Sequence, residues 1–474
     1  MAPTRVRWRC LRRAALALLV VAGLWAVVVQ HFRRLDRQAW TDACAEADRL
    51  DPGWRWDEMA RPAVPRRSVG VDQIAAAAKV LKARKPANGA EVHTAIEKVP
   101  LLRRLAPELV AQLRAATAPD PALTAVEALA DLPAAPLPWP NSPVLIDHQS
   151  NPVGADPLDY VRLGKDFLYL QLVLRCDDSD MDAALGSIRA LNAASRPPAE
   201  YPNGDMYNLI AGAIQAYAAR GVERMLAQSE LSPATLDAIR RLFEAEGKRN
   251  LLLPYYRGKR ATIEDTIRAV DEGRLPRAEV AQWGLFADPP PTSWPTLNSW
   301  LQGVTSADFK RSNATVMLRG YTWLVERLKE SPDAMPSHVS EWKTRLAQMP
   351  QSLFLDGRLA LEMFREINEY TALVRCAAVA VAAEQFRRER GHWPAALDEL
   401  VPRYLAAVPA DPFDLAPLRL VRRPDGIVIY SIGPNGKDDG GAVAGDGVPR
   451  PTDHGVRLWD VAQRRQPPAS RTRP

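Results

Sequence analysis

The stretch "ALVRCAAVAVAAEQFRRERGHWP", residues 372–394, decides how the chain divides into a helical part and a strand-bearing part. Its small, apolar and charged helix formers continue as far as Arg390 and predict one helix. Gly391 and Pro394 then mark its end, because glycine favours the helix C-cap and proline cannot continue a helix. The character of the sequence changes after this point.

The residues that follow predict a small α+β domain over 371–460. "PAALDELVPRYL" (394–405) predicts a short second helix, and "PLRLVRRPDGIVIYSIG" (417–433) predicts a β-hairpin. Pro424, Asp425 and Gly426 supply the turn between its two apolar strands. The last segment, 461–474, is basic and polar and predicts a disordered tail.

The residues before this stretch predict a helical body over 33–370. In 205–228, apolar residues return at helical spacing and form one stripe. In 231–247, Ser232 is a predicted N-cap and Pro233 a predicted first helical residue. Proline-rich breaks lie at 132–143 and 286–300. The chain is therefore expected to be mainly α, with helical hairpins or a solenoid-like array, although no fixed repeat period is visible.

The N-terminus predicts a transmembrane helix. Residues 14–32 carry no formal charge, and about 20 apolar residues cross a bilayer. Five arginines in the stub 1–13 favour a cytoplasmic N-terminus and a periplasmic body, so the chain is expected to cross the inner membrane once. A cleaved signal peptide is the alternative, but "AVVVQHF" at the end of the segment offers no small-x-small cleavage site.

Charge argues against nucleic-acid binding. Residues 1–37 carry +7 and residues 461–474 carry +4, so the overall +6 leaves −5 for residues 38–460. The folded body is therefore mildly acidic, and no nucleic-acid partner is expected.

Cys44, Cys176 and Cys376 would lie outside the membrane and are predicted to be buried thiols, with one disulfide among the three left open.

Catalytic motifs such as GxSxG, HExxH, GxGxxG and the P-loop are absent from the sequence. The pair Asp147-His148 is interpreted as part of a solvated loop. Asp178, Asp180 and Asp182 occupy the first three ligand positions of an EF-hand, but the later glycine and glutamate positions do not match. These acids are therefore predicted to cap the next helix.

The glycine-rich loop "SIGPNGKDDGGAVAGDG", residues 431–447, is the strongest candidate for a metal site. Its oxygen-bearing side chains include Asn435, Asp438, Asp439 and Asp446, and its glycines allow the backbone to curve around an ion. Calcium prefers such oxygen ligands. The alternative is a simple glycine turn whose acids face water.

Residues 371–460 resemble the globular domain of the major pseudopilins of type II secretion systems. The resemblance is carried, in order, by Gly391-His392-Trp393-Pro394, Asp411-Pro412 and Tyr430-Ser431. It implies a structural calcium ion held by the Ile432 carbonyl, Asn435 and acids among Asp438, Asp439 and Asp446. Asparagine stands at 435 where the family usually has aspartate, and the following acids are spaced differently.

The whole chain resembles a group of uncharacterised membrane-anchored proteins from planctomycete-type bacteria. The shared features are the anchor, "EADRLDPGWRWDEM" (46–59), the 375–402 segment and "YSIGPNGKDDGG" (430–441). The sequence is thus expected to encode a non-enzymatic, membrane-anchored scaffold or interaction protein with protein partners in the cell envelope. The alternatives are a component or partner of a type II secretion or pilus-like assembly, and an enzyme without a recognisable motif.

Overall fold

A computed structural model describes residues 4–59, 69–83, 86–131, 157–200, 205–276, 311–330, 335–346, 354–444 and 451–468. The chain is mainly α-helical, with one long apolar N-terminal helix and a small antiparallel sheet near the C-terminus, so the predicted fold class is confirmed. The helices are α1 (Thr4–Leu50), α2 (Trp56–Met59), α3 (Val69–Ala83), α4 (Pro86–Glu97), α5 (Pro107–Ala116), α6 (Pro121–Glu127), α7 (Pro157–Leu163), α8 (Tyr169–Asp177), α9 (Met181–Glu200), α10 (Asp205–Gln228), α11 (Pro233–Glu246), α12 (Leu252–Asp271), α13 (Arg311–Glu330), α14 (Met335–Leu346) and α15 (Phe354–Arg390).

Helix α1 joins the apolar segment to the body without a break. Its apolar side chains near the N-terminus, such as Leu18 and Leu19, are each 70% exposed, and the helix is long and apolar enough to cross a membrane. Near the other end of α1, Trp40, Ala43 and Ala47 are buried against α12 and α13. The same helix is thus suited to lipid at one end and to the protein core at the other.

Asp51 fastens the end of α1 to the body. Its buried carboxylate accepts hydrogen bonds from Arg257 and Arg260 of α12, and lies 2.7 Å from the Lys329 ammonium of α13. Burial disfavours the charge, but the bonds from Arg257 and Lys329 and the charge of Arg260 outweigh it and lower the pKa of Asp51 to about 2. One carboxylate therefore contacts three cations at this junction.

The middle of the body follows the predicted helices closely. Helix α10 spans 205–228, and α11 begins at Pro233 with Ser232 as its N-cap, whose hydroxyl accepts a hydrogen bond from the Thr235 amide. Leu236, Ile239 and Phe243 of α11 are buried as its amphipathic pattern requires. The turn chemistry of this segment was sufficient to place its boundaries.

Helix α15 runs continuously through position 370, where the sequence suggested a domain boundary. Its buried side chains pack against α10, α11 and the sheet. Apolar residues of the sheet, including Ile429 and Val456, belong to the same core as residues of α9 and α10. The C-terminal part and the helical body are therefore one packed unit along this helix.

The sheet has three antiparallel strands in the order β1 (Arg419–Arg423), β2 (Gly426–Ser431) and β3 (His454–Trp459). The predicted hairpin is β1–β2, with Arg423 paired to Gly426. Strand β2 is buried along its whole length because β1 and β3 flank it and α15 packs against it. Strand β3 was not predicted from the sequence.

Two details near the C-terminus differ from expectation. The predicted second helix over 394–405 is only a 3₁₀ turn at Leu397–Leu400, since Pro402 follows at once and prevents a longer helix. The predicted disordered tail is folded over 461–468: the guanidinium of Arg464 bonds the buried Glu384 carboxylate of α15 at 2.8 and 3.0 Å. The buried partner Glu384 orders this basic segment, and the composition of residues 461–474 alone gives no sign of that contact.

Several predictions concern residues outside the described ranges, namely the breaks at 132–143 and 286–300, the pair Asp147-His148, and Asp446. The three cysteines beyond the anchor are free thiols; Cys176 and Cys376 are buried as predicted, whereas Cys44 is half-buried. Asp180 caps helix α9 through its carboxylate and the Ala183 amide, as the failed EF-hand match suggested.

Candidate functional site

The predicted calcium residues lie on the loop that follows β2. Asn435 donates from its side-chain amide to Asp439 at 2.8 Å, so these two side chains meet. Asp438 turns toward the sheet instead: it accepts a hydrogen bond from the Tyr430 hydroxyl at 3.0 Å and lies 3.3 Å from the Arg419 Nε atom. The amide of Ile432 donates to Asp411 at 2.9 Å.

The fit of this loop to calcium is partial. Calcium takes six to eight oxygens at about 2.3–2.6 Å, so its carboxylate ligands must point at one centre. Asn435 and Asp439 are exposed, but Asn435 turns its amide nitrogen to Asp439 and its amide oxygen to the Lys437 amide, so its side chain would have to reorient to share an ion. Asp438 would first have to leave Arg419 and Tyr430, and the described residues contain no group of three His, Cys, Asp or Glu arranged around a metal. Calcium binding therefore stays a prediction.

Asp453 is the residue that the sequence reading missed in this loop. It is 3% exposed, and its carboxylate accepts the amides of Gly441 and Ala442 at 2.8 and 3.0 Å and lies 3.4 Å from the Asp439 amide. Burial raises its pKa despite these three donors. Its position immediately before strand β3 was the available signal, but that strand was itself unrecognised.

Asp411 closes the other end of the loop. This carboxylate is fully buried and accepts bonds from the Ser431 hydroxyl at 2.7 Å and from the Ile432 and Phe413 amides at 2.9 Å. The Arg419 guanidinium lies 3.1 Å from the same carboxylate. The Asp-Pro turn is thereby tied to the end of β2, and the loop is held at both ends by buried carboxylates.

Two glycines of the loop are required by its geometry. Gly433 and Gly441 have φ values of +67° and +76°, which glycine tolerates far better than other residues. A Cβ atom on Gly433 would lie 2.6 Å from the Thr452 carbonyl oxygen, and one on Gly441 would lie 2.7 Å from a Val421 methyl. These glycines serve the packing of the loop as much as its curvature.

A second candidate site is the groove between helices α10 and α15, here called the α10–α15 groove. Its volume is about 450 Å³. Apolar side chains from both helices form its floor, and the Tyr370 ring lies against the backbone of Gly212, where a Cβ would be only 1.8 Å from the ring. The lining residues are Leu209, Ile210, Ala213, Glu362, Met363, Glu366 and Tyr370.

The groove leaves part of the predicted α10 stripe uncovered. Ile210 and Ile214 are buried in the helical body, whereas Leu209, Ala213 and Tyr217 of the same stripe are only half-buried. An apolar stripe of a soluble helix normally packs fully against a neighbour. Leu209 and Ala213 line the α10–α15 groove, whereas Tyr217 packs against His93 and Tyr169.

Two glutamates of α15, Glu362 and Glu366, line the groove, and together with the neighbouring Glu369 they share one arginine. Arg365 lies 3.2 Å from Glu362, 3.0 Å from Glu366 and 3.4 Å from Glu369. Burial, together with the charge of Glu366, raises the pKa of Glu369 to about 7 despite Arg365. Among the residues that the structure describes, the cluster therefore has more carboxyl groups than cations, and the carboxyl group of Glu369 is near its titration point at neutral pH.

His454 connects this cluster to the C-terminal loop. Its Nε2 atom lies 4.0 Å from the Glu369 carboxylate, and it stands next to Asp453 at the start of β3. Burial and the nearby Arg220 lower its pKa, so the ring is neutral at pH 7 and adds no positive charge to the cluster.

Among known protein families, curated proteins and solved structures, none matches this chain.

Proposed function

We propose that this chain is a non-enzymatic, membrane-anchored scaffold or interaction protein of the cell envelope. Residues 1–13 lie in the cytoplasm, residues 14–32 cross the inner membrane, and the remainder is extracytoplasmic. The arginine-rich stub supports this orientation, because basic residues are retained on the cytoplasmic side. The exposed apolar face of α1 supports the membrane span.

The observation that carries the proposal is the continuity of α1 from the apolar segment to Asp51. The buried residue Trp40 follows Phe32 by eight residues, which is about 12 Å along a helix. Because α1 packs on α13 and Asp51 binds α12 and α13, the body is held at a fixed short distance from the bilayer. Such a rigid attachment suits a protein that presents a surface to membrane neighbours.

Site-specific photo-crosslinking in native membranes tests the scaffold role. A photoreactive residue would replace Arg241 on α11, Glu330 on α13 or Glu362 on α15 in the full-length protein, since all three side chains are well exposed. We expect at least one position to give a discrete adduct with an envelope protein. The absence of adducts from every position at native expression would overturn the proposal.

The orientation is tested separately by adding protease to spheroplasts. We expect the body to be digested and a fragment containing residues 1–32 to be protected by the membrane. A body that is cleaved only after the membrane is opened would reverse the proposed topology. A mature protein that begins after residue 32 would show that the apolar segment is a cleaved signal.

The alternative role, as a partner of a secretion or pilus-like assembly, depends on the identity of the crosslinked protein. Adducts with pseudopilin-type subunits would favour that role, and the resemblance of residues 371–460 is its only support. Adducts with unrelated envelope proteins would leave the general scaffold role in place.

A further inference from the structure

We propose that the α10–α15 groove binds a segment of a partner protein that presents a large apolar side chain beside a lysine or arginine. This inference rests on the proposed interaction role and assigns it to one surface. The groove combines an apolar floor with an acidic edge, and each of these features selects one half of the bound segment.

The apolar floor has the size to receive side chains. A volume of about 450 Å³ falls in the range of about 300–1,000 Å³ that is typical of binding pockets. Met363 supplies an adaptable floor, and the Tyr370 ring supplies a rigid wall because Gly212 lets it lie close to α10. An apolar side chain that entered here would cover the half-buried Leu209 and Ala213.

The acidic edge specifies the charge of the ligand. Glu362, Glu366 and Glu369 are spaced by four and three residues, which places them on one face of α15. Within the described part of the chain, Arg365 is the cation within bonding distance of all three, so one guanidinium faces three carboxyl groups. A lysine or arginine brought to this edge would relieve that repulsion, whereas an acidic segment would increase it.

The adjacency of the apolar floor and the acidic edge also favours a protein segment over a free cation as the ligand of the groove. Glu366 belongs to both features, because it lines the groove and binds Arg365. A ligand that fills the floor therefore places its neighbouring group within reach of the carboxylates. Charge and apolar contact are adjacent in the protein, as they are on an amphipathic basic peptide.

The test measures binding of fluorescent peptides to the full-length protein in nanodiscs of zwitterionic lipid, with empty nanodiscs as the background. The probe is KLLKKLLKKLLK, and its comparison peptides are ELLEELLEELLE and KSSKKSSKKSSK. We expect the first peptide to bind the protein and the acidic and serine peptides to bind at least about tenfold more weakly.

The decisive variant is Glu362→Gln with Glu366→Gln, which removes charge from half-exposed and exposed positions without creating a cavity. We expect it to weaken binding of the basic peptide about tenfold. The matched control is Glu330→Gln with Glu341→Gln, two exposed acids on α13 and α14, which should bind as the wild type does. Ala213→Trp, which fills the floor, should also weaken binding.

Equal binding of the basic peptide to the wild type, the groove variant and the control would overturn the assignment. Sedimentation that showed the wild type to dimerise, with dimers lost in the groove variant, would assign the groove to a second copy and likewise overturn it. If peptides do not distinguish the variants but photo-crosslinks still form from α11 or α13, this inference fails and the proposed scaffold role does not.

Discussion

Replacement of Asp51 by Asn is expected to detach the membrane helix from the body. Asp51 is 3% exposed and pairs with Arg257, Arg260 and Lys329, of which Arg260 is fully buried. Its folded-state pKa of about 2, against an ordinary value of 3.8, corresponds to about 2 kcal/mol of stability at neutral pH. Asn cannot compensate the buried guanidinium, so we expect a total loss of about 3–5 kcal/mol.

The pH dependence of this junction follows from the lowered pKa. An acid whose pKa is lower in the folded state stabilises the fold fully above its ordinary value and loses that contribution as the pH falls. The contribution of Asp51 should therefore disappear between about pH 4 and pH 2 in the wild type. The Asp51→Asn protein should lack this component of acid unfolding.

Hydrogen exchange of the full-length protein in a mild detergent measures the local effect. In Asp51→Asn, amides of residues 40–50 should exchange about 10²- to 10³-fold faster, because the loss of the contact frees this end of α1. The matched control is Asp57→Asn, where a carboxylate that is 50% exposed lies 3.4 Å from Arg268, and its effect should be below about 1 kcal/mol. Equal protection of residues 40–50 in both variants would refute the reasoning.

The remaining predictions concern the acidic cluster, the glycine loop and the folded tail. Because the pKa of Glu369 is raised to about 7, the free energy of unfolding of the wild type should fall as the pH rises from about 4.5 through 7. In urea unfolding, Glu369→Gln should therefore gain about 2–3 kcal/mol relative to the wild type between pH 5 and pH 8, whereas Glu362→Gln should not. Gly441→Ala should destabilise the protein by about 1–3 kcal/mol more than Gly436→Ala, since both have positive φ but only the Gly441 site lacks room for a Cβ; equal melting temperatures would count against the steric argument. Arg464→Ala should cost about 3–5 kcal/mol by leaving the buried Glu384 with fewer partners, and unchanged unfolding would contradict the ordered tail. Calorimetric titration of the full-length protein with calcium should give a heat that Asp439→Ala abolishes, and no heat from the wild type would end the calcium prediction.

Local sequence signals were enough to place several elements of this fold. Ser232 and Pro233 predicted the start of α11, and Gly391, with φ of +80°, ends α15 as expected. In both cases one or two residues decide the backbone conformation by their own chemistry. The hairpin turn at Pro424 and Asp425, which lies between the paired residues Arg423 and Gly426, belongs to the same class.

Continuity of the long helices was harder to predict. The change from apolar to charged residues after Phe32 suggested an end to the membrane segment, but arginine and aspartate are compatible with a helix and no breaker occurs before Pro52. A change in side-chain character marks a change of environment, and it does not by itself end a helix. The same reasoning applies to α15 around position 370.

The residues that organise the candidate sites are separated by long stretches of chain. Asp51 binds Arg257, which is 206 residues away, and Glu384 binds Arg464, which is 80 residues away. The spacing of the α15 acids was visible in the sequence, but the facing residues of α10 lie about 150 positions earlier in the chain. A single sequence contains no signal that pairs such positions.

The continuity of α15 also determines which experiments can assign a partner. Removal of residues 371–460 would cut this helix near Tyr370 and take away the half that packs on α10, α11 and the sheet. The shared core would then be exposed, so any lost interaction could follow from unfolding of the whole body. Surface variants such as Glu362→Gln leave that core in place. The acidic cluster and the loop are also neighbours, because His454 at the start of β3 lies 4.0 Å from Glu369 and directly follows Asp453. A partner is therefore assigned to the groove or to the loop by whether binding responds to Glu362→Gln with Glu366→Gln or to Asp439→Ala.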